Sequence, residues 1–304
     1  VIGELRLEGL VRRAIDMHVH VGPECIARKY DAMQFAREAL RRGLAGAVLK
    51  SHFFPTSDWA YLARKHAGAR FFGAVALNRH VGGLNPYAIR AALGPRIGDE
   101  PLLRVVWMPT IHSKSHLAMR AGRGDGYDIP TEWGGAMPGC GRKASEVDPV
   151  DVMAEGAGSA LDEVLGLIKE FDLVLATGHL HWEEAELLFE RARGKGIRRI
   201  VITHPLYEAV GMPLDRIASI SKRGAYIEQS YALHLIDGIP IRRIAECIEA
   251  VGPERTILSS DLGQATSPSP PAGLLRFFRE LRREGVDPED IRTMACENPR
   301  ALLG

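Results

Sequence analysis

Short apolar runs rich in Val, Ile and Ala alternate along this chain with segments of ten to fifteen residues whose apolar positions recur at helical spacing. That order predicts repeated strand–helix units and a parallel sheet. Eight strands are expected: "RAIDMHVH" ending at His20, "GAVLKS" at Ser51, "FFGAVALN" at Asn78, "LLRVVWMPT" at Thr110, "DLVLATGH" at His179, "RRIVITHP" at Pro205, "GAYIEQS" at Ser230 and "RTILSSDLG" at Gly263. Helices follow with readable punctuation. "DAMQFAREALRRG" starts at Asp31 and stops at Gly43, and "TSDWAYLARKHAG" offers Thr56 and Ser57 as caps before stopping at Gly68. "SALDEVLGLIKEF", "EEAELLFERARGKG", "IRRIAECIEAVG" and a final stretch ending "ENPRALLG" repeat the scheme. Eight such units in 304 residues fit an α/β (β/α)8 barrel, a TIM barrel, as a single domain over 1–304. No G-x-G-x-x-G follows the first strand, as an open dinucleotide-binding sheet would require.

One segment breaks the rhythm. Residues 111–157 have weak periodicity and many glycines, and they follow the fourth strand, on the face where barrel enzymes keep their active sites. The expectation is an active-site lid. Composition adds little: 46% hydrophobic and 25% charged residues describe an ordinary globular chain, and a net charge of +1 gives no global attraction to nucleic acid or to an anionic membrane. No apolar run is long enough to span a bilayer, and the first residues lack the basic-then-apolar order of a signal peptide, so a cytoplasmic location is expected. Homo-oligomerisation stays open. Four scattered cysteines, Cys25, Cys140, Cys247 and Cys296, form no C-x-x-C pair and are expected to be reduced thiols. Cys25 has no evident activating base nearby in sequence.

The candidate chemistry sits where the strands end. His18 and His20 in "DMHVHVG" share one face of an extended strand, so their rings reach one ion. His179 ends the fifth strand, His204 the sixth and Asp261 the eighth. A parallel barrel brings all strand C-termini to one rim, so these residues converge without any local motif. Four imidazoles and a carboxylate suit a divalent metal, Zn2+ first, with Mn2+ or Fe2+ as alternatives. Taken singly, His179 and His204 could cap helices and Asp261 could bind backbone N–H groups in a turn.

The pattern resembles the amidohydrolase superfamily of metal-dependent hydrolases: an H-x-H after strand one, single histidines after strands five and six, an aspartate after strand eight, and an ending similar to "ENPRALLG". The resemblance implies that His18, His20 and Asp261 hold the more buried metal, that His179 and His204 hold a second or complete a single site, and that Asp261 is the catalytic base. One departure stands out: the fourth strand, "VVWMPT", offers no bridging lysine or glutamate. The nearest substitute is Lys50 after the second strand, either as a metal-bridging carbamate or as an anchor for an anionic substrate.

His52, Arg79, His112, Lys114 and His116 are expected to orient ligands or contact substrate, with Arg120 a further basic candidate. Glu228 is a weaker rim candidate, and "LNRHVGGLNP" carries glycines for a tight backbone approach. The functional expectation is hydrolysis of a small-molecule amide, lactone, imide or ester, with no nucleic-acid or membrane partner. Phosphoester hydrolysis, a non-hydrolytic decarboxylase and a catalytically silent metal-binding barrel remain as alternatives.

Overall fold

In the computed structural model, which describes residues 2–124 and 126–304, the eight apolar runs become β1 (Ile15–His20), β2 (Gly46–Lys50), β3 (Phe71–Ala76), β4 (Leu103–Trp107), β5 (Val174–Ala176), β6 (Ile200–Ile202), β7 (Tyr226–Ser230) and β8 (Thr256–Ser259). Val1 and Asp125 lie outside the described residues. The strands lie side by side in chain order, each parallel to the next. Helices pack around them, so the fold is an α/β barrel of the TIM type. Residues just past β8 bring the sheet nearly to closure. Asp261 N–H donates to His18 O at 2.8 Å, His20 N–H to Leu262 O at 2.8 Å, and Ser260 N–H to the Asp16 carboxylate at 2.9 Å.

Two apolar layers separate on the two faces of this sheet. Val19, Leu49, Val75, Val106, Leu175 and Ile227 face the helices, whereas Met17, Val48, Phe72, Ala74, Val105 and Val201 fill the barrel interior. The alternation slips in β1, where a bulge interrupts pairing with β2 between Asp16 and Val19. Across it, Met17 and His18, although consecutive, both point inward, toward the core and toward the Glu228 side chain respectively. The chain's end seals the opposite mouth. Leu302 and Leu303 join the interior cluster, and Arg199 and Arg104 donate to their carbonyl oxygens at 2.9 and 3.2 Å.

Most helix punctuation works as expected. Asp31 and Gln34 form a reciprocal capping box for Ala32–Arg42, and Gly43 ends that helix at φ 75°. Thr56 behaves differently: its side chain makes no cap and instead donates to Leu49 O at 2.6 Å and accepts from Ala74 N at 2.8 Å, which joins the end of β2 to β3. Helix Pro270–Arg283, absent from the periodicity reading, opens on two prolines that lose nothing in a first turn. The 111–157 segment also holds more order than its weak periodicity suggests. Ser113 caps a helix at Lys114–Ala121 by accepting from His116 N at 3.1 Å, and short 3₁₀ turns follow. Among the described residues, no helix is long and apolar enough to cross a membrane.

Candidate metal centre

The centre is built from His18. Its ring is wholly buried; Nδ1 lies 2.9 Å from Glu228 Oε1, and Nε2 lies 3.0 Å from Asp261 Oδ1 and 2.8 Å from Lys50 Nζ. A carboxylate on Nδ1 fixes that nitrogen as a donor, so in the neutral ring Nε2 carries the lone pair, facing Lys50 and Asp261. Burial opposes a charged imidazole here, but Asp261 and Glu228 outweigh it and raise the His18 pKa. Ser259 Oγ donates to the same Glu228 oxygen at 2.6 Å, while Glu228 Oε2 has no hydrogen-bond partner among the described residues.

His20 is set differently. Its Nε2 lies 3.1 Å from Asp261 Oδ1, and its Nδ1 accepts from Arg28 at 3.1 Å, so a donor stands where His18 has an acceptor. Arg28 is in turn held by Glu24 at 2.5 Å, with both side chains buried. Burial and the Arg28 charge push the His20 pKa far below its usual value and keep the ring neutral. Lys50 pairs in register with His20 across β1 and β2, and its ammonium lies over the Trp107 ring at 4.9 Å. Burial brings its pKa down to about 8. Trp107, on the strand that lacks a bridging residue, thus forms a floor beneath Lys50 and His18.

His204 and His179 form the opposite wall, their rings 5.0 Å apart. His204 Nε2 stands 4.0 Å from Asp261 Oδ2, and its buried Nδ1 has no partner among the described residues. Both His204 (φ 26°) and Asp261 (φ 52°) take left-handed backbone, unfavourable for residues with a Cβ and typical of functional positions. His179 Nδ1 faces His116 Nδ1 at 3.4 Å, and Tyr207 Oη reaches His116 at 3.2 Å. His116 therefore stands behind the wall, tied through Nε2 to Asp128 O at 2.9 Å.

Beside His18 lies a small cavity of about 20 Å³, room for one or two water-sized groups. Its lining includes His20, Arg28, Lys50, His52, His179, His204 and Asp261, with Trp133 of the 111–157 segment as a cover. Trp133 stacks on His52 at 5.3 Å and 11°. Trp133, Tyr207, Ile236 and Asp237 also line a second cavity of about 330 Å³, which makes a vestibule beside the first.

Of the residues singled out by sequence, the structure brings together His18, His20, Lys50, His52, His179, His204 and Asp261, with His116 behind. It does not bring Arg79, His112 or Lys114 to this cavity. Arg79 donates to the Asp148 and Pro149 carbonyl oxygens at 2.9 Å, and His112 binds Asp128 at 3.2 Å. Both line a separate cavity, and Lys114 points outward to Asp151 at 3.5 Å. Arg120 lines the vestibule. Arg28, Glu24, Trp133 and Tyr207 escaped the sequence reading because they lie in irregular loops without period. Glu228 had a signal: in "YIEQS" Ile227 faces the helices, so Glu228 must face inward.

The donor set fits a divalent cation. One ligand atom each from His18, His20 and Asp261 lies within 4.8 Å of the others, and the unpartnered His204 Nδ1 sits on a ring whose Nε2 faces Asp261.

A family model described as a family of unknown function (DUF6282) matches residues 13–228. No curated protein matches in sequence. Among solved structures, the organophosphorus hydrolase from Deinococcus radiodurans is similar at 13% identity, over 97% of this chain and 94% of that one, with a TM-score of 0.57. A structure described as organophosphate hydrolysis activity engineered from a weak promiscuous lactonase template is similar at 14% identity, over 97% of each chain, with a TM-score of 0.57. An amidohydrolase from Pseudomonas aeruginosa is similar at 11% identity, over 98% of each chain, with a TM-score of 0.54. At these identities the likeness is one of fold.

Proposed function

The chain belongs to this family of unknown function, DUF6282, and we propose that it is a metal-dependent hydrolase of the amidohydrolase type, acting on a small-molecule amide, lactone, imide or ester. The convergence of His18, His20 and Asp261 from opposite ends of the sequence, with their ligand atoms within 4.8 Å of one another, carries this reading. The three similar structures, described as hydrolases, support it. His18, His20 and Asp261 would hold one ion, Zn2+ first, and His179 and His204 would hold a second or complete the first. When bound, such an ion supplies a Lewis acid that polarises the bond under attack and eases deprotonation of water.

The chain's own residues do the rest. Glu228 fixes the His18 ring through Nδ1, so its Nε2 keeps its aim, and Arg28 steadies the His20 ring from its Nδ1 side, with Nε2 toward Asp261. Asp261 takes the proton of the attacking water on its carboxylate and returns it to the leaving group; Oδ2, directed at His204, is the free edge for that transfer. Lys50, beside His18 and with its pKa brought to about 8, serves as a further ligand in carbamate form or as the anchor for an anionic group. Trp133, Leu233 and Ile236 wall off bulk water.

Elemental analysis of protein purified without chelator, followed by a panel of amides, lactones, imides and esters, tests the reading. One or two ions per chain and turnover of one class are expected. Asp261→Asn should then reduce turnover by a factor on the order of a hundred with the metal retained. Failure to bind zinc, manganese, iron, cobalt or nickel on reconstitution would overturn it.

A further inference from the structure

Cys25 and Cys140 stand far apart in sequence and meet in the fold. Cys25 lies in the loop after β1, between Glu24 and Arg28, which hold His20. Cys140 lies in the strap that carries Trp133 over the cavity. The strap is a closed loop: at its base Tyr127 bridges Lys143, and Asp128 N–H donates to Arg142 O at 3.0 Å. Its far side is sewn to the Cys25 loop, where Ile26 bridges Ala136 and Met137 N–H donates to Cys25 O at 2.8 Å. The turn from Met137 to Cys140, closed by Cys140 N–H to Met137 O at 3.0 Å, folds the second thiol back toward the first, near enough for Cys140 to act on the Cys25 thiol. Both residues are half-buried and both thiols are free, whereas Cys247 and Cys296 are buried elsewhere.

We propose that Cys25 and Cys140 are an oxidisable pair whose disulfide locks the Trp133 strap shut over the metal cavity. The backbone pairing already in place brings the thiols together, so closure needs no rearrangement of strands. The bond fastens the strap to the loop that positions His20, beyond its present anchorage by two backbone contacts. A small disulfide is the oxidant. The Cys140 thiolate attacks one of its sulfurs, forming a mixed disulfide and expelling one small thiolate. The Cys25 thiol then gives up its proton and attacks the Cys140 sulfur, forming the protein disulfide and expelling the second small thiol. Two protein thiols are oxidised and one small disulfide is reduced to two thiols. Burial and the neighbouring Cys140 push the Cys25 thiol up to about 12, in keeping with Cys25 as the resolving partner rather than the first attacker. The proposal is independent of the hydrolase reading, because its test reads thiols and strap mobility.

The native full chain is incubated with oxidised glutathione, quenched in acid, and assayed for free thiols after denaturation, with a non-reducing peptide map. Free thiols should fall from four to two, the peptides containing Cys25 and Cys140 should be joined, and dithiothreitol should restore all four. Cys140→Ser should form no intramolecular cross-link. In parallel, chymotryptic cleavage after Trp133 should slow by about tenfold or more on oxidation of the wild type and stay unchanged in Cys140→Ser. Persistence of four thiols, or a glutathione adduct at Cys140 with Cys25 still titratable, would overturn the pairing. A cross-linked protein whose strap is cut as fast as before would overturn the lock.

Discussion

Replacing Glu228 by Gln tests how His18 is held. Glu228 Oε1 takes two donors, His18 Nδ1–H at 2.9 Å and Ser259 Oγ–H at 2.6 Å, inside the barrel. Burial disfavours its charge, yet the His18 pair and its hydrogen bond more than compensate and lower its pKa. Gln keeps an acceptor of the same shape but makes both bonds neutral, which roughly halves their strength. It also places an NH2 where Oε2 now has no partner, a buried unsatisfied donor worth about 1–3 kcal/mol. The fold should lose that amount in a denaturant titration of metal-free protein. Metal affinity should fall about 10–100-fold, equivalent to about 1.4–2.7 kcal/mol, because the His18 ring loses the partner that sets its aim. Competition against a chromophoric chelator measures the affinity. Ser259→Ala, which leaves the His18 bond in place, should change affinity far less. A folded Glu228→Gln protein with wild-type affinity would show that His18 is positioned by packing alone, or is no ligand.

Trp133→Leu removes the ring stacked on His52 and opens the small cavity to the vestibule; extraction of bound metal by a chelator should speed up by about tenfold, and an unchanged rate would place the gate elsewhere. Asp128 accepts from Ile129 N and Arg142 N at 2.9 Å each and from His112 at 3.2 Å, and these bonds outweigh burial to lower its pKa. Its contribution is therefore present above the ordinary carboxylate value and is lost as pH falls through the lower folded value, so strap proteolysis should rise in strong acid, and Asp128→Asn should show the loosened strap already at neutral pH. At Gly263 (φ 147°) an added Cβ would fall on the His20 carbonyl oxygen and come within 2.6 Å of its carbon, all rigid backbone at the barrel seam. Gly263→Ala should cost more than about 3 kcal/mol by thermal or denaturant unfolding, and a wild-type midpoint would contradict the geometry.

The barrel was legible because its strands are short, apolar and punctuated by caps that function as written, such as Asp31 and Gly43. Strand-end chemistry was legible for the same reason: once the strands are parallel, His18, His179, His204 and Asp261 have one place to go. The sequence shows period, and loops have none. Arg28 and Trp133 act through loop conformations that carry no pattern, and Cys25 and Cys140 meet only because Ile26 pairs with Ala136. Arg79 and Lys114 looked equivalent to Arg28 as basic residues on rim loops; the distinction is that Arg28 has Glu24 four residues earlier in the same loop to compensate its burial, whereas Arg79 and Lys114 reach carbonyls and a carboxylate at the surface. The bulge in β1 is likewise silent in sequence, since the apolar and polar residue types from Met17 to His20 alternate as in a regular strand.

The seam between β8 and β1 has a consequence for assembly of the chain. It is joined by the backbone of Ser260, Asp261 and Leu262 and by the Asp16 carboxylate, not by a ladder of paired strands, and it links His20 to Asp261 across 241 residues. Bringing two points that far apart together costs about 5 kcal/mol in loop-closure entropy, before any constant for chain stiffness. The contacts that repay this cost are the contacts that juxtapose His18, His20 and Asp261, so the chelate forms only when the ring closes. Ion capture during refolding would therefore time the last stage of barrel formation, and fragments ending before β8 would hold the histidines without the carboxylate that completes them.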